Sequence, residues 1–386
     1  MPELVNHTPY PNFRYYSSDK AGVDFGVVIV KCTYEVGPSG RLLKAEEQAP
    51  MVFTDMCHGE VNRTSLWHPS DLVPLKPATD LIVNGVARAP GSEPLPSWTC
   101  GVRIEDDGNV RLEKILRVTG PREWRPIWKR RLSESEKQEW QLHRRYFDRW
   151  ELSEPTSITE LPLHYEYAFG GEVPQGQDTD GKAVFDTDHR NPLGLGKIDP
   201  ACTDHSAPIP APQIESINEP VSDPYQDMMP QSLGPIPPAW LPRRPLGGTY
   251  DQNWKDNIWP AWPPDYDFAY HNSAHPDLIL DPYLKGTETI QLTGLSAASE
   301  TFHLRLPGEK LIVDFVDSDR RLIRQNMVLD TLNLDISARS VREWRVFVSW
   351  RTRFQPGLYD SAVIQRVLPN HSAENVRDTI RERKVS

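Results

Sequence analysis

The sequence predicts a mainly β protein: antiparallel sheets in a sandwich- or barrel-like arrangement, a proline-rich extended arm, and one or two minor helices. Three observations predict it. Apolar residues recur at every second position, turn signals separate these runs, and the chain holds 37 prolines where average usage gives roughly 19. Proline has no N–H for a ladder and breaks helix interiors. One-sided alternation between hairpin turns is the pattern of antiparallel sheets buried on one face.

Residues 1–130 are expected to form an N-terminal β domain. Val28, Val30, Cys32, Tyr34 and Val36 place one strand face inward, and Gly37-Pro38-Ser39-Gly40, Asn84-Gly85 and Asp107-Gly108 read as turns. Residues 131–190 are expected to connect through a helix and a strand. Ser133 with Glu136 has the capping-box spacing, and helix-tolerant residues continue to Trp150, with Trp140, Tyr146, Phe147 and Trp150 on one broad stripe. Leu163, Tyr165, Tyr167 and Phe169 then alternate with His164 and Glu166 as a strand would.

Residues 191–285 are the arm. Thirteen of the 54 positions from Pro192 to Pro245 are proline, and Trp240, Trp254, Trp259 and Trp262 fall in or just beyond that stretch. Such a composition makes no packed layer alone, so the arm is expected to wrap over the sheets or to order on a partner. Residues 286–386 return to β. Ile290 with Leu292, then Phe302, Leu304 and Leu306, then Trp344, Val346, Val348 and Trp350 alternate with polar neighbours. A short helix is expected at 374–383.

The net charge of −11 argues against direct nucleic-acid binding as the main activity. Locally, residues 121–150 carry nine Lys or Arg against five acids, and residues 178–230 carry ten acids against three bases. Cys32, Cys57, Cys100 and Cys202 lie far apart, the usage of reduced thiols in a cytosolic protein. No secretory leader is recognised at the N-terminus, and no apolar run approaches a membrane span. A cytoplasmic protein without membrane contact is expected.

Catalytic signatures are missing: no Gly-x-Ser-x-Gly, no His-Glu-x-x-His, no phosphate loop. His271 and His275 have the i, i+4 spacing that would share a helix face, but Pro276 argues against a helix there, and backbone-bonded loop histidines are the better reading. Asp178-Thr179-Asp180-Gly181 lacks the calcium-loop order. Asp186, Asp188, His189, Cys202, Asp204 and His205 are irregularly spaced for zinc. No metal or cofactor is therefore expected. Aromatic and arginine residues are enriched at protein interfaces, which makes Trp240, Tyr250, Trp254, Trp259 and Trp262 on the arm, and Trp128, Arg130 and Arg131 in the basic stretch, the candidate partner-binding residues.

The order of several motifs is distinctive. These are Phe25-Gly-Val-Val-Ile-Val-Lys31, Ser70-Asp-Leu-Val-Pro-Leu-Lys-Pro-Ala-Thr-Asp80 and Val83-Asn-Gly-Val-Ala-Arg-Ala-Pro90. Thr119-Gly-Pro-Arg-Glu-Trp124, the stretch from Leu152 to Gly171, and Asn191-Pro-Leu-Gly-Leu-Gly196 follow. Gly248-Thr-Tyr-Asp251 with Trp254, and Pro264-Asp-Tyr-Asp-Phe268, complete the set. In that order they resemble the Gram-negative family catalogued as domain of unknown function 2169, over about residues 1–355.

The resemblance implies a cytoplasmic adaptor or chaperone of type VI secretion. Its members bind a toxic effector, often with a PAAR or Rhs region, and help load it onto the VgrG spike. The family brings no catalytic residues to carry over, so no enzyme activity is expected. Two other readings stand beside it. A carbohydrate-binding β module would use Trp240, Trp259 or Trp262 as a flat exposed platform. An enzyme of unassigned hydrolase type would need a pocket of convergent carboxylates or histidines.

Overall fold

Among the described residues, seven sheets are drawn from strands scattered along the sequence. The computed structural model describes residues 2–37 and 39–367, so the helix expected at 374–383 lies outside the described residues. Strands take 42% of the chain and helices 10%, which bears out the mainly β reading, and among the described residues no sheet closes into a barrel.

The main sheet has eight strands. Along it run Glu160–Pro162, Thr79–Arg88, Val328–Ile336, Arg345–Phe354, Asp24–Val36 and Asn12–Ser18, with Ile279–Leu280 and Leu42–Lys44 paired at its sides. Its pairing is antiparallel except at one seam, where Thr79–Arg88 and Val328–Ile336 run parallel with Leu81 opposite Leu332. Two adjacent strands of the 286–386 segment are therefore set between strands of the 1–130 segment in one sheet. A five-stranded sheet, Ile214–Ser216, Asn109–Thr119, Ser97–Asp106, Thr289–Thr293 and Thr301–Arg305, shares its core. Phe302 meets Trp344 edge-on across the two, with ring centroids 5.2 Å apart. A four-stranded sheet joins Glu3–Asn6 in parallel to Ser361–Val367.

The Asp107-Gly108 turn forms as read: Asp106 pairs Asn109, and both turn residues have positive φ (48° and 80°), the primed turn that suits the twist of a hairpin. Asn84-Gly85 is not a turn. Both residues lie inside Thr79–Arg88, because the Asn84 amide finds partners in Trp67 O and Asn333 Oδ1, each at 3.0 Å. The helix read through to Trp150 is also corrected. Two short helices, Glu134–Gln138 and Trp140–Tyr146, give way to a strand, Phe147–Leu152, paired to Glu123–Trp128. The capping box at Ser133 and Glu136 is present. Beyond Tyr146 packing decides: Trp150 and Trp124 bury in a second small core with Phe169, Ile198 and Met228. The strand read at 163–169 is instead a 3-10 turn, Tyr165–Tyr167, between two short strands. Asn191 Nδ2 takes the carbonyls of Tyr165 and Phe169 at 2.8 and 2.9 Å and occupies acceptors that a ladder would need.

Burial of the main sheet also differs from the one-sided expectation. Asp24–Val36 is buried on both faces along most of its length. One face joins the apolar core through Val28, Val30, Cys32 and Tyr34. The other carries Lys31 and Thr33 besides Val27 and Ile29, and it is roofed by residues 45–78 and, over the neighbouring Asp80, by the arm. Ion pairs at Lys31–Asp71 (2.8 Å), Lys76–Asp80 (2.7 Å) and Arg351–Asp330 (2.5 Å) lie there, each partner almost or fully out of water. Buried charge is tolerated only when paired and hydrogen-bonded, and this layer meets that condition.

Candidate partner-binding surface

The arm carries its aromatics on a compact knob over residues 242–271. The short helix Gln252–Asn257 begins where the Asp251 side chain accepts from Trp254 N. Trp254 Nε1 donates to Ala261 O at 2.9 Å, and Tyr250 packs edge-on against its ring at 4.7 Å. Beneath, Trp262 meets Tyr266 edge-on at 4.1 Å. At the root Arg243 is buried. Its Nε and Nη2 donate to Tyr270 O (3.1 and 2.9 Å), and its charge lies 5.5 Å from the Tyr270 ring. Burial and that cation together push His271 down to about 3, so the knob's histidine is neutral.

The structure separates the arm's candidates. Trp259 is 67% exposed and Tyr250 54%. Trp254 and Trp262 are half-buried. Trp240 is 8% exposed and packs edge-on against Tyr165 at 5.4 Å. It belongs to the core, so the three tryptophans named for a sugar platform do not share an exposed plane. In the basic stretch Trp128 is half-buried, with the Lys137 ammonium 5.5 Å from its ring. Arg130 lies 4.1 Å from the Tyr146 ring and pairs with Glu136 at 2.8 Å, whereas Arg131 is exposed. Among the described residues, no hydrogen bond, ion pair or ring contact joins this group to the knob.

Other chemical clusters resolve into structural contacts. His275 Nδ1 faces Lys114 Nζ (3.2 Å) and accepts from Asp277 N (3.2 Å), while Nε2 faces Pro230 O at 3.2 Å. It shares no ligand geometry with His271, which bonds the Tyr266 hydroxyl. Asp186 pairs Lys197, Asp188 pairs Arg190, and His205 stacks on Trp150. Among the described residues no group of three or more His, Cys, Asp or Glu converges as a metal site. Sequence reading missed the cluster of Lys31, His68, Asp71, Ser349 and Arg351 on the roofed sheet face. Its residues lie far apart along the chain, and no spacing signals them. The cavity among them is only about 10 Å³, the room of about one water, so no substrate fits there.

A family model described as "Uncharacterized protein conserved in bacteria (DUF2169)" matches residues 21–351. The chain belongs to this family. No curated protein and no solved structure matches it. The DUF2169 match covers seven of the main sheet's eight strands in whole or in part, leaving out Asn12–Ser18, and the whole knob, so Tyr250 and Trp259 lie within the matched region. No helix among the described residues is long and apolar enough to cross a membrane.

Proposed function

We propose that this DUF2169 protein is a cytoplasmic adaptor or chaperone of type VI secretion, which binds an effector with a PAAR or Rhs region and helps load it onto the VgrG spike. The family resemblance supplies the pathway. The observation that carries the binding role is the pair Tyr250 and Trp259, two large aromatic faces held in solvent on a rigid, hydrogen-bonded knob. Such rings bring large contact area at little entropic cost, and among the described residues no hydrogen bond, ring stack or cation engages the Trp259 ring.

The test is co-expression with the PAAR- or Rhs-type effector encoded beside this gene, then size-exclusion chromatography with light scattering. Co-elution at a defined ratio is expected. Separate elution of a soluble effector, with a VgrG protein also unbound, would overturn the reading, and retention on a glycan array would then favour a sugar-binding module.

Two alanine variants localise the contact. Trp259→Ala is expected to weaken effector binding by about 2 kcal/mol or more with an unchanged melting temperature. Trp262→Ala, which removes the ring packed on Tyr266, is expected to lower the melting temperature instead. Equal affinities for Trp259→Ala and the parent would move the interface elsewhere.

A further inference from the structure

One row of the main sheet ends early and leaves a slot. Val328, opposite Arg351, is where Val328–Ile336 stops pairing. Thr352, Arg353 and Phe354 run on, held on one side by Val28, Val27 and Gly26 and, among the described residues, flanked by no strand on the other. The chain that would have filled this row turns off at Met327, whose N–H donates to Leu311 O at 3.0 Å. What remains is a cleft of about 510 Å³, walled by Phe25, Phe354, Gln325 and Asn326, within the roughly 300–1,000 Å³ of small-ligand sites.

Its charges are unequal in availability. Arg351 is taken by Asp330 and Lys76 by Asp80. Arg353 is exposed, its guanidinium lies 5.1 Å from the Phe25 ring, and it makes no ion pair among the described residues. A guanidinium fork matches a carboxylate in shape and charge. Unpaired strand edges accept extended peptides through main-chain hydrogen bonds, and a small anion would leave that edge unused. Asp24 also lines the cleft and disfavours an acidic side chain beside the bound terminus.

We propose that this cleft binds the carboxyl end of an extended peptide, its backbone added along Thr352–Phe354 and its terminal carboxylate on Arg353. The inference stands independently of the adaptor reading. The test uses the full chain and fluorescence anisotropy with a mixture of fluorescein-labelled tetrapeptides of random sequence ending in free carboxylates. The same mixture as C-terminal amides and unlabelled sodium acetate serve as comparisons. Saturable binding is expected for the acids, with roughly three- to tenfold weaker binding for the amides. Arg353→Gln should bring the acids to the level of the amides and leave the amides and the melting temperature unchanged. Arg353→Lys, which keeps the charge without the fork, should fall between. Absence of binding, equal affinity of acids and amides, indifference to both variants, or full displacement by millimolar acetate (a small-anion site) would each overturn the proposal.

Discussion

Replacing Asp80 with alanine is expected to remove about 3–5 kcal/mol of stability, a large part of the 5–15 kcal/mol typical of a folded domain. Asp80 has no exposure to water. It accepts from Lys76 Nζ at 2.7 Å, Asn272 Nδ2 at 2.8 Å, Ser273 N at 2.8 Å and Ser273 Oγ at 3.1 Å. Burial by itself would raise its pKa, but the Lys76 ammonium and the donors from 272–273 hold it below the usual carboxylate value. Alanine leaves Lys76 with a buried charge and, among the described residues, only Thr331 Oγ1 as a hydrogen-bond partner for its ammonium, at 2.8 Å. It also frees the point where the arm is pinned to the sheet. Urea unfolding measures the loss. Adding Lys76→Met to Asp80→Ala should recover part of it, because the orphaned charge then goes too. A cost below about 1 kcal/mol for the single variant would mean that the pair contributes little.

Stability is also expected to fall on acidification, well above the range where carboxylates titrate. His68 and His275 are pushed down to about 4 and His271 to about 3, in each case chiefly by burial. Each also faces cations: Lys31 near His68, Lys114 near His275, and Arg243, Lys76 and Arg351 near His271. Asp71 and Asp335 oppose the effect at His68, and Asp277 opposes it at His275. Because the folded values lie below the unfolded value of about 6.5, the unfolded chain binds protons first as pH drops. The stability from these groups is complete above about 6.5 and is lost progressively down to the folded values. At about 1.4 kcal/mol per unit for each group, the loss between pH 6.5 and 5 is on the order of 3–6 kcal/mol. Asp80, Asp188 and Asp277 are depressed, so their contribution is lost only as pH falls below about 4. Melting curves at pH 7.5, 6 and 5 check this, with a drop of about 5–15 °C expected. A flat profile over that range would show that the histidines protonate without disturbing the fold.

The periodic runs near 290 and 302 could be read from sequence because their strands bury alternate residues, whereas Arg345–Phe354 alternates only as far as Val348 and is then buried on both faces through Thr352. The paired faces of Asp24–Val36 could not. Lys31 and Thr33 look like solvent residues until residues 45–78 fold over them. Asn84-Gly85 carries turn chemistry that non-local hydrogen bonds override. The capping box at Ser133 is local and legible, whereas the helix end depends on Trp124, a partner from another strand. The arm was legible as a covering segment from its prolines. Which of its tryptophans face water was not, since it takes the folded core, with Tyr165 among the residues around Trp240, to separate Trp240 from Trp259. Arg353 gave no signal at all: its interest comes from a missing strand, and absence of a neighbour is not written in any spacing.

The position of Arg345–Phe354 has a consequence for how the chain is made. That strand lies between Asp24–Val36 and Val328–Ile336, so Tyr34 waits for Val346, which emerges from the ribosome more than 300 residues later. Until then one edge of an apolar strand stays open while the rest of the protein is synthesised. Contacts so far apart in sequence close slowly, and an unpaired edge on a nascent chain is a place for wrong partners. A fragment ending before residue 345 lacks the strand that joins Asp24–Val36 to Val328–Ile336, so the main sheet has no smaller complete version to fall back on.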